Sequence, residues 1–404
     1  MTAETATPSH GYETRIRDLT LIGLGGISGF ASAAVAPAMP GIAVHFAGTP
    51  DIDLLARLVV ALPTALFALT GPLIGWVSDR VGRRLPLILA AFLYAVAGPL
   101  PYFLDDLWSI LGCRAALGLA MGVLFTLAPA SLGDWYEGAA RNRAIAWYGA
   151  GAAGVPAVMI VCGGVLAEYG WRLPFLLHAV ALPLLPPALL QVRDAPKTVA
   201  RTAAAGATGR LVAARVPWAA LIGLYLAIFL IGMTFMQLPL NVPFLLVERA
   251  IGGPSVAGLG IAATMAIMAG LSFAYPWLAR RAARPVIFAG YAVGLGFGFV
   301  VLAFAWDVAA LALGLLLLAL GQSMVYANNT TWLMAITPPG VRARVIGGMV
   351  LAIYAGQFSA PFLLLPIIRA AGLAPSFLAL SAAMALLCVT MLAIVRRDAR
   401  RRGG

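Results

Sequence analysis

The sequence predicts an all-α polytopic membrane protein: twelve transmembrane helices in two six-helix bundles related by a pseudo-two-fold. Three observations predict it. Of 404 residues, 62% are hydrophobic and 10% charged, where a soluble domain carries about 25% charged residues. The apolar residues fall in runs long enough to cross a hydrocarbon core of about 30 Å, which takes roughly 20 helical residues. Arginines mark every second loop. Lipid offers backbone groups no partner, so spans must be helices or closed barrels. Barrel strands of about ten alternating residues do not match runs of this length.

Residues 1–17 form a polar tail with Glu4, Glu13, Arg15 and Arg17. The run after it, 18–45, is too long for a cleaved leader and has no small-residue cleavage site between Pro37 and His45. It is the first span. Short loops separate it from spans at 54–78, 85–104, 107–132, 144–167 and 173–192. Residues 193–217 are rich in Ala, Thr and Arg and hold no apolar run of spanning length, so they read as a central loop. The second bundle, 218–395, follows with spans at 218–247, 255–279, 285–305, 308–335, 345–369 and 374–395. Residues 396–404 form a basic tail.

The net charge of +12 reflects topology rather than a nucleic-acid partner. Twenty-two of the 27 Lys+Arg fall in segments on one side. They are Arg15, Arg17, Arg80, Arg83, Arg84, Arg141, Arg143, Arg193, Lys197, Arg201, Arg210, Arg215, Arg280, Arg281, Arg284, Arg342, Arg344 and the five arginines after Ile394. The other side holds Arg57, Arg172, Arg249 and Arg369, and Arg114 falls within a span. The positive-inside rule then puts both termini in the cytoplasm, which requires an even number of spans.

Cys113, Cys162 and Cys388 all fall within spans, so no disulfide framework is expected. No His/Cys cluster has metal-ligand spacing, and no P-loop is present. Neither a metal nor a cofactor is expected, and nothing supplies the nucleophile–base pair of an enzyme.

The two halves repeat. GWVSDRVGRRLP starts at Gly75 and PWLARRAARP at Pro276; RNRAI starts at Arg141 and RARVI at Arg342. Trp76 and Trp277, like Arg141 and Arg342, are 201 residues apart. Two basic loops at one offset, each after an even-numbered span, argue for a parallel repeat with a substrate site near the midplane between halves.

The first loop carries Gly75, Asp79, Arg80, Gly82, Arg83 and Arg84 at the spacing G-x-x-x-D-R-x-G-R-R. It resembles the signature of the major facilitator superfamily, and the span count, central loop and repeat agree with it along nearly the whole chain. The resemblance implies a secondary transporter working by alternating access. It also implies that Asp79 meets the cytoplasmic start of span eleven, here near Arg344–Gly348, and latches one state. Helix dipoles make such an end favourable for an anion. Arg83 is placed to pair with Asp134 at the end of span four, and Arg141 and Arg143 complete the gating set. The second copy departs from the pattern: Arg280 stands where the repeat would put Asp79, and Ala283 replaces Gly82.

Within the spans, charge is costly and functional by default. Arg114, in GCRAALGLAMG, is the candidate for coupling or substrate contact, with snorkelling to the interface as the bland alternative. In proton-coupled members of the family an arginine here is associated with coupling. His178 is a second candidate. No carboxylate falls at a midplane. Gly118 and Gly122 form a packing face. Neutral polar residues cluster in the second half as a candidate substrate cavity: Gln237, Asn241, Gln322, Tyr326, Asn328, Asn329, Tyr354 and Gln357. Pro239, Pro243 and Pro156 are expected to bend their helices. The glycine-rich span around Pro156, together with GWR-x-PF at Gly170 and PAMPGI at Pro37, resembles the drug/proton antiporter (efflux) branch. The expected function is proton-coupled efflux of small amphipathic compounds. The alternative is an uptake carrier or uniporter for a small metabolite or organic anion. The expected partners are a small-molecule substrate, protons and the lipid bilayer, with the protein a monomer. Heavy use of Ala, Arg and Gly points to a bacterial inner (plasma) membrane.

Overall fold

The computed structural model describes residues 8–194, 218–338 and 341–403; the predicted central loop lies mostly outside the described residues. Span one is composite: α1 (Pro8–Ser28), a 3-10 stretch (Phe30–Ala38) and α2 (Met39–His45), bent by 41°. The helix starts ten residues before the predicted span, at Pro8, since proline suits a first helical position. The tail is thus partly helical. Next come α3 (Ile52–Val81) and α4 (Arg84–Ala97), on either side of the basic loop, then α5 (Leu107–Trp135) and α6 (Gly138–Tyr169). Asp106 caps α5 by accepting from the Ser109 amide at 2.7 Å. The Ser109 side-chain and backbone hydrogen bonds hold its carboxyl below the usual carboxylate range.

Span six is a 3-10 helix (Leu173–Leu184) followed by α7 (Leu185–Gln191). Pro174, Pro183, Pro186 and Pro187 remove amide donors along it, which explains the departure from α geometry. The second half runs through α8 (Trp218–Phe235), α9 (Gln237–Glu248), α10 (Pro254–Ser272), α11 (Tyr275–Ala279), α12 (Arg284–Ala303), α13 (Val308–Gln322), α14 (Val325–Ile336), α15 (Arg342–Ala371) and α16 (Leu373–Gly403). Among the described residues eleven helices are long and apolar enough to cross a membrane, or twelve with the bent first span. Large apolar side chains such as Leu89, Phe92 and Leu386 face outward, as a bilayer requires.

Contacts group the chain into two compact units. One holds α1, α4, α5, the sixth span and most of α3 and α6; the other holds residues 36–61 and 164–171 together with the second half. The grouping therefore crosses the predicted bundle boundary at one end of the helices, the Arg-poor end. In the first unit α5 packs on α1 and α4 around Leu24, Leu87, Leu117 and Leu124. The Gly118–Gly122 face brings α5 onto α3: a Cβ at Gly118 would sit 2.4 Å from the Pro63 carbonyl oxygen. In the second unit α8 and α15 approach as closely, with Gly356 placed so that a Cβ would meet the Phe229 carbonyl oxygen at 2.0 Å.

Candidate functional site

The basic loop closes with Gly82 at φ +82°, a left-handed conformation that glycine adopts without steric cost. The turn delivers Arg83 and Arg84 to the start of α4, where the N-cap residue supplies no side-chain cap. Asp194 supplies it instead. Its Oδ1 accepts from the Arg83 and Arg84 amides at 2.7 and 3.0 Å, an anion seated on a helix N-terminus. Arg84 donates to the Leu189 carbonyl at 3.0 Å, and Arg83 Nε pairs with Asp134 Oδ2 at 3.1 Å, as its spacing predicted. Arg141 lies against Gly133, whose added Cβ would be 3.2 Å from the guanidinium. Arg80 folds over the Trp76 ring at 3.6 Å. Arg17 pairs with Asp18 and lies 4.4 Å over Trp135; Tyr136 donates to Asp18 and accepts from Arg17. The Arg-rich ends of spans one, three, four and six are thus cross-linked. Asp79 and Arg143 are exposed, and Asp79 has no ion pair among the described residues. Asp194 escaped the sequence reading, although a lone acid beside Arg193 was a usable signal.

Arg114 and His178, picked separately from the sequence, share one buried cluster. Both are fully buried, so Arg114 does not snorkel. Its guanidinium stands 5.8 Å from the Phe175 ring, and its charge acts on both Tyr94 and His178. His178 Nδ1 lies 3.1 Å from the Phe175 carbonyl oxygen. A carbonyl only accepts, so Nδ1 carries the proton and Nε2 is the open acceptor. Nε2 has no partner among the described residues. The His178 and Tyr94 rings are 5.7 Å apart, and Tyr94 donates to the Ile27 carbonyl at 2.9 Å. Four spans therefore converge here. Gly98 permits it: a Cβ there would lie 2.4 Å from His178 Cβ.

The neutral set of the second half separates into groups. Span seven breaks at Met236, between α8 and α9, just before Pro239 and Pro243, each of which leaves a carbonyl without its helical donor. Beside the break, Gln237 Nε2 donates to the Met233 carbonyl at 2.9 Å and Asn241 Nδ2 to Gln237 Oε1 at 2.6 Å. Asn241 Oδ1 accepts from Arg57 at 3.2 Å. The charge pattern counts Arg57 among the outer arginines, near the start of span two; the structure places it in α3, 4% exposed, because its guanidinium finds an amide, the Asp53 carbonyl and the Phe244 ring. Gln322 donates to the Thr234 carbonyl at 3.3 Å. Tyr326 and Tyr354 hydrogen-bond to each other. Asn328 and Asn329 tie α14 to α12 through the Arg284 carbonyl and Tyr291. Gln357 is 1% exposed, with neither amide atom partnered among the described residues. A cavity of about 320 Å³ in the second unit is lined by Pro37, Pro40, Trp171, Pro243, Val247 and Pro254, among others, and by none of these amides. Pro156 lies buried within α6, which runs through it as one continuous helix.

The profile of the Major Facilitator Superfamily matches residues 21–361. The chain belongs to the major facilitator superfamily. That superfamily is one of transporters that move small molecules, not of enzymes. The facilitated glucose transporter member 8 of solute carrier family 2 from Bos taurus is 31% identical over 165 residues, 40% of this chain and 32% of that protein. The multidrug resistance protein MdtG of Erwinia billingiae is 27% identical over 167 residues, 39% of this chain and 38% of that protein. The chain thus spans about a third of the length of these curated relatives. The inward-open xylose transporter XylE from E. coli superposes with a TM-score of 0.70 at 16% identity, covering 93% of this chain and 94% of that one. This superfamily member therefore has the expected fold, and its relatives divide between sugar transport and drug efflux.

Proposed function

We propose that this superfamily member exports small amphipathic compounds in exchange for protons, by alternating access. The observation that carries the reading is the buried Arg114–His178 cluster. A cation held inside the bilayer costs about 2.5–3.5 kcal/mol on insertion scales, and a histidine with an open Nε2 beside it can take and release a proton. His178 is the proposed proton carrier, and Arg114 sets its electrostatics. The amides and phenols of Gln237, Asn241, Gln322, Tyr326, Tyr354 and Gln357 suit a neutral or amphipathic ligand; Gln357, buried with amide atoms that have no partner among the described residues, is the strongest member. Asn328 and Asn329 complete the set at its margin. In this reading Asp79, Arg80 and the loop around them stabilise one of the two states, with Arg141 and Arg143 on the same face. The arginine bias supports an orientation with both termini in the cytoplasm, and the heavy use of Ala, Arg and Gly supports a bacterial inner membrane.

The test uses purified protein in liposomes with a trapped pH dye. Lipophilic cations or neutral drugs should drive proton flux that His178→Ala and Arg114→Ala abolish. Movement of compound without proton flux would replace this reading with the second one, a uniporter or uptake carrier for a small metabolite or organic anion. The missing intramembrane carboxylate and the sugar-transporter relatives favour that second reading.

A further inference from the structure

We propose that Arg57 is the buried element of a latch at the Arg-poor end, one that holds residues 36–61 against the second half of the chain in the state seen here and releases them when that end opens. The proposal rests on alternating access and on reading this end as external.

Three ties converge there. At the surface, Arg369 at the end of α15 meets Asp51 at 2.8 Å and Asp53 at 3.5 Å, just before and inside the first turn of α3. Glu168, at the end of α6, accepts from the Ser255 amide at 2.9 Å and its hydroxyl at 2.7 Å. It thereby caps α10, whose N-cap Gly253 has no side chain to do so. Beneath these, Arg57 donates from Nε to Asn241 and from Nη1 to the Asp53 carbonyl at 2.8 Å, with its guanidinium 4.3 Å from the Phe244 ring. Apart from the bond to the Asp53 carbonyl, each tie joins a residue before 172 to one after 240, so none of these survives separation of the two halves at this end.

The chemistry suits a contact made to be broken. Exposed ion pairs such as those of Arg369 contribute little each. Arg57 is 4% exposed, yet its partner across the halves is a neutral amide, and it forms no ion pair among the described residues. A carboxylate at position 241 would make a buried pair too costly to part. Arg57 also sets direction. Because it donates to Asn241 Oδ1, the Asn241 amide must donate onward to Gln237, and Gln237 to the Met233 carbonyl at the break in span seven. Closing the outer end fixes the orientation of two candidate cavity amides; withdrawing Arg57 frees an acceptor on Asn241.

The experiment places spin labels at Gly48 and Val308, both exposed at this end, in a variant with Cys113, Cys162 and Cys388 changed to serine. Double electron–electron resonance in nanodiscs then reads the distance. Arg57→Gln should at least double the share of a longer-distance population. Asp51→Asn with Asp53→Asn, both at exposed sites, should shift it the same way by less. An unmoved distribution in both variants, in monodisperse protein whose wild type broadens on adding tetraphenylphosphonium or glucose, overturns the latch alone. A single distance in the wild type under every condition overturns alternating access at this end, and the latch with it.

Discussion

At the scale of single residues, the turn at Gly82 and the carboxylate of Asp194 form one device. Gly82 lets the backbone reverse, and a Cβ there would stand 2.7 Å from Asp194 Oδ2, so the missing side chain makes room for the acid. Asp194→Ala should cost about 0.5–2 kcal/mol, the range for a lost N-cap, read as a lower melting temperature in detergent. Asp79→Asn should behave oppositely: exposed and without an ion pair among the described residues, it should leave melting unchanged while cutting transport. Normal turnover in Asp79→Asn would remove it from gating. The glycines, Asp79 and the arginines were legible because they are contiguous. Asp194 was not, since it acts from 110 residues away and only folding brings it to α4. Arg57 was misread for a related reason: a charge near a span end looks like a topology signal until its amide partner is known.

At the scale of elements, span seven is the part most shaped by its sequence. Pro239 and Pro243 follow the break at Met236, and the side chain of Gln237 serves the carbonyl of Met233 there. Replacing Pro239 and Pro243 with alanine restores two donors, and interior proline costs a helix about 3 kcal/mol. The double variant should melt no lower than wild type yet transport more slowly; wild-type transport rates would show that the break is incidental. The spans themselves were readable from hydropathy, and the bend in span seven from its prolines. The 3-10 character of residues 173–184 was not, because proline predicts missing donors but not the geometry the chain adopts around them. Nor could spacing show that Asn328 and Asn329 fasten α14 to α12, since amides that bind ligand and amides that join helices look alike in a sequence.

At the scale of the whole molecule, arginine distribution and apolar length carried the fold class, because the bilayer imposes both. A phosphatase fused after residue 404 should be inactive and a fluorescent protein bright, which checks the cytoplasmic assignment of the carboxyl terminus; an active phosphatase would reverse every statement about inside and outside. A repeat at an offset of 201 residues pointed to two bundles. The grouping of residues 36–61 and 164–171 with the second half was not legible, because it rests on contacts between residues far apart in the sequence, such as Arg57 with Asn241 and Glu168 with Ser255, which no local pattern carries.

The carboxylate of Asp194 also closes a ring. Its bonds to the Arg83 and Arg84 amides join points 110 residues apart in the sequence, with spans three to six strung between them, and the Gly82 turn and the Arg83–Asp134 pair sit at the clasp. One carboxylate is therefore the fastening of four spans, and its loss would open the ring without touching a single transmembrane side chain.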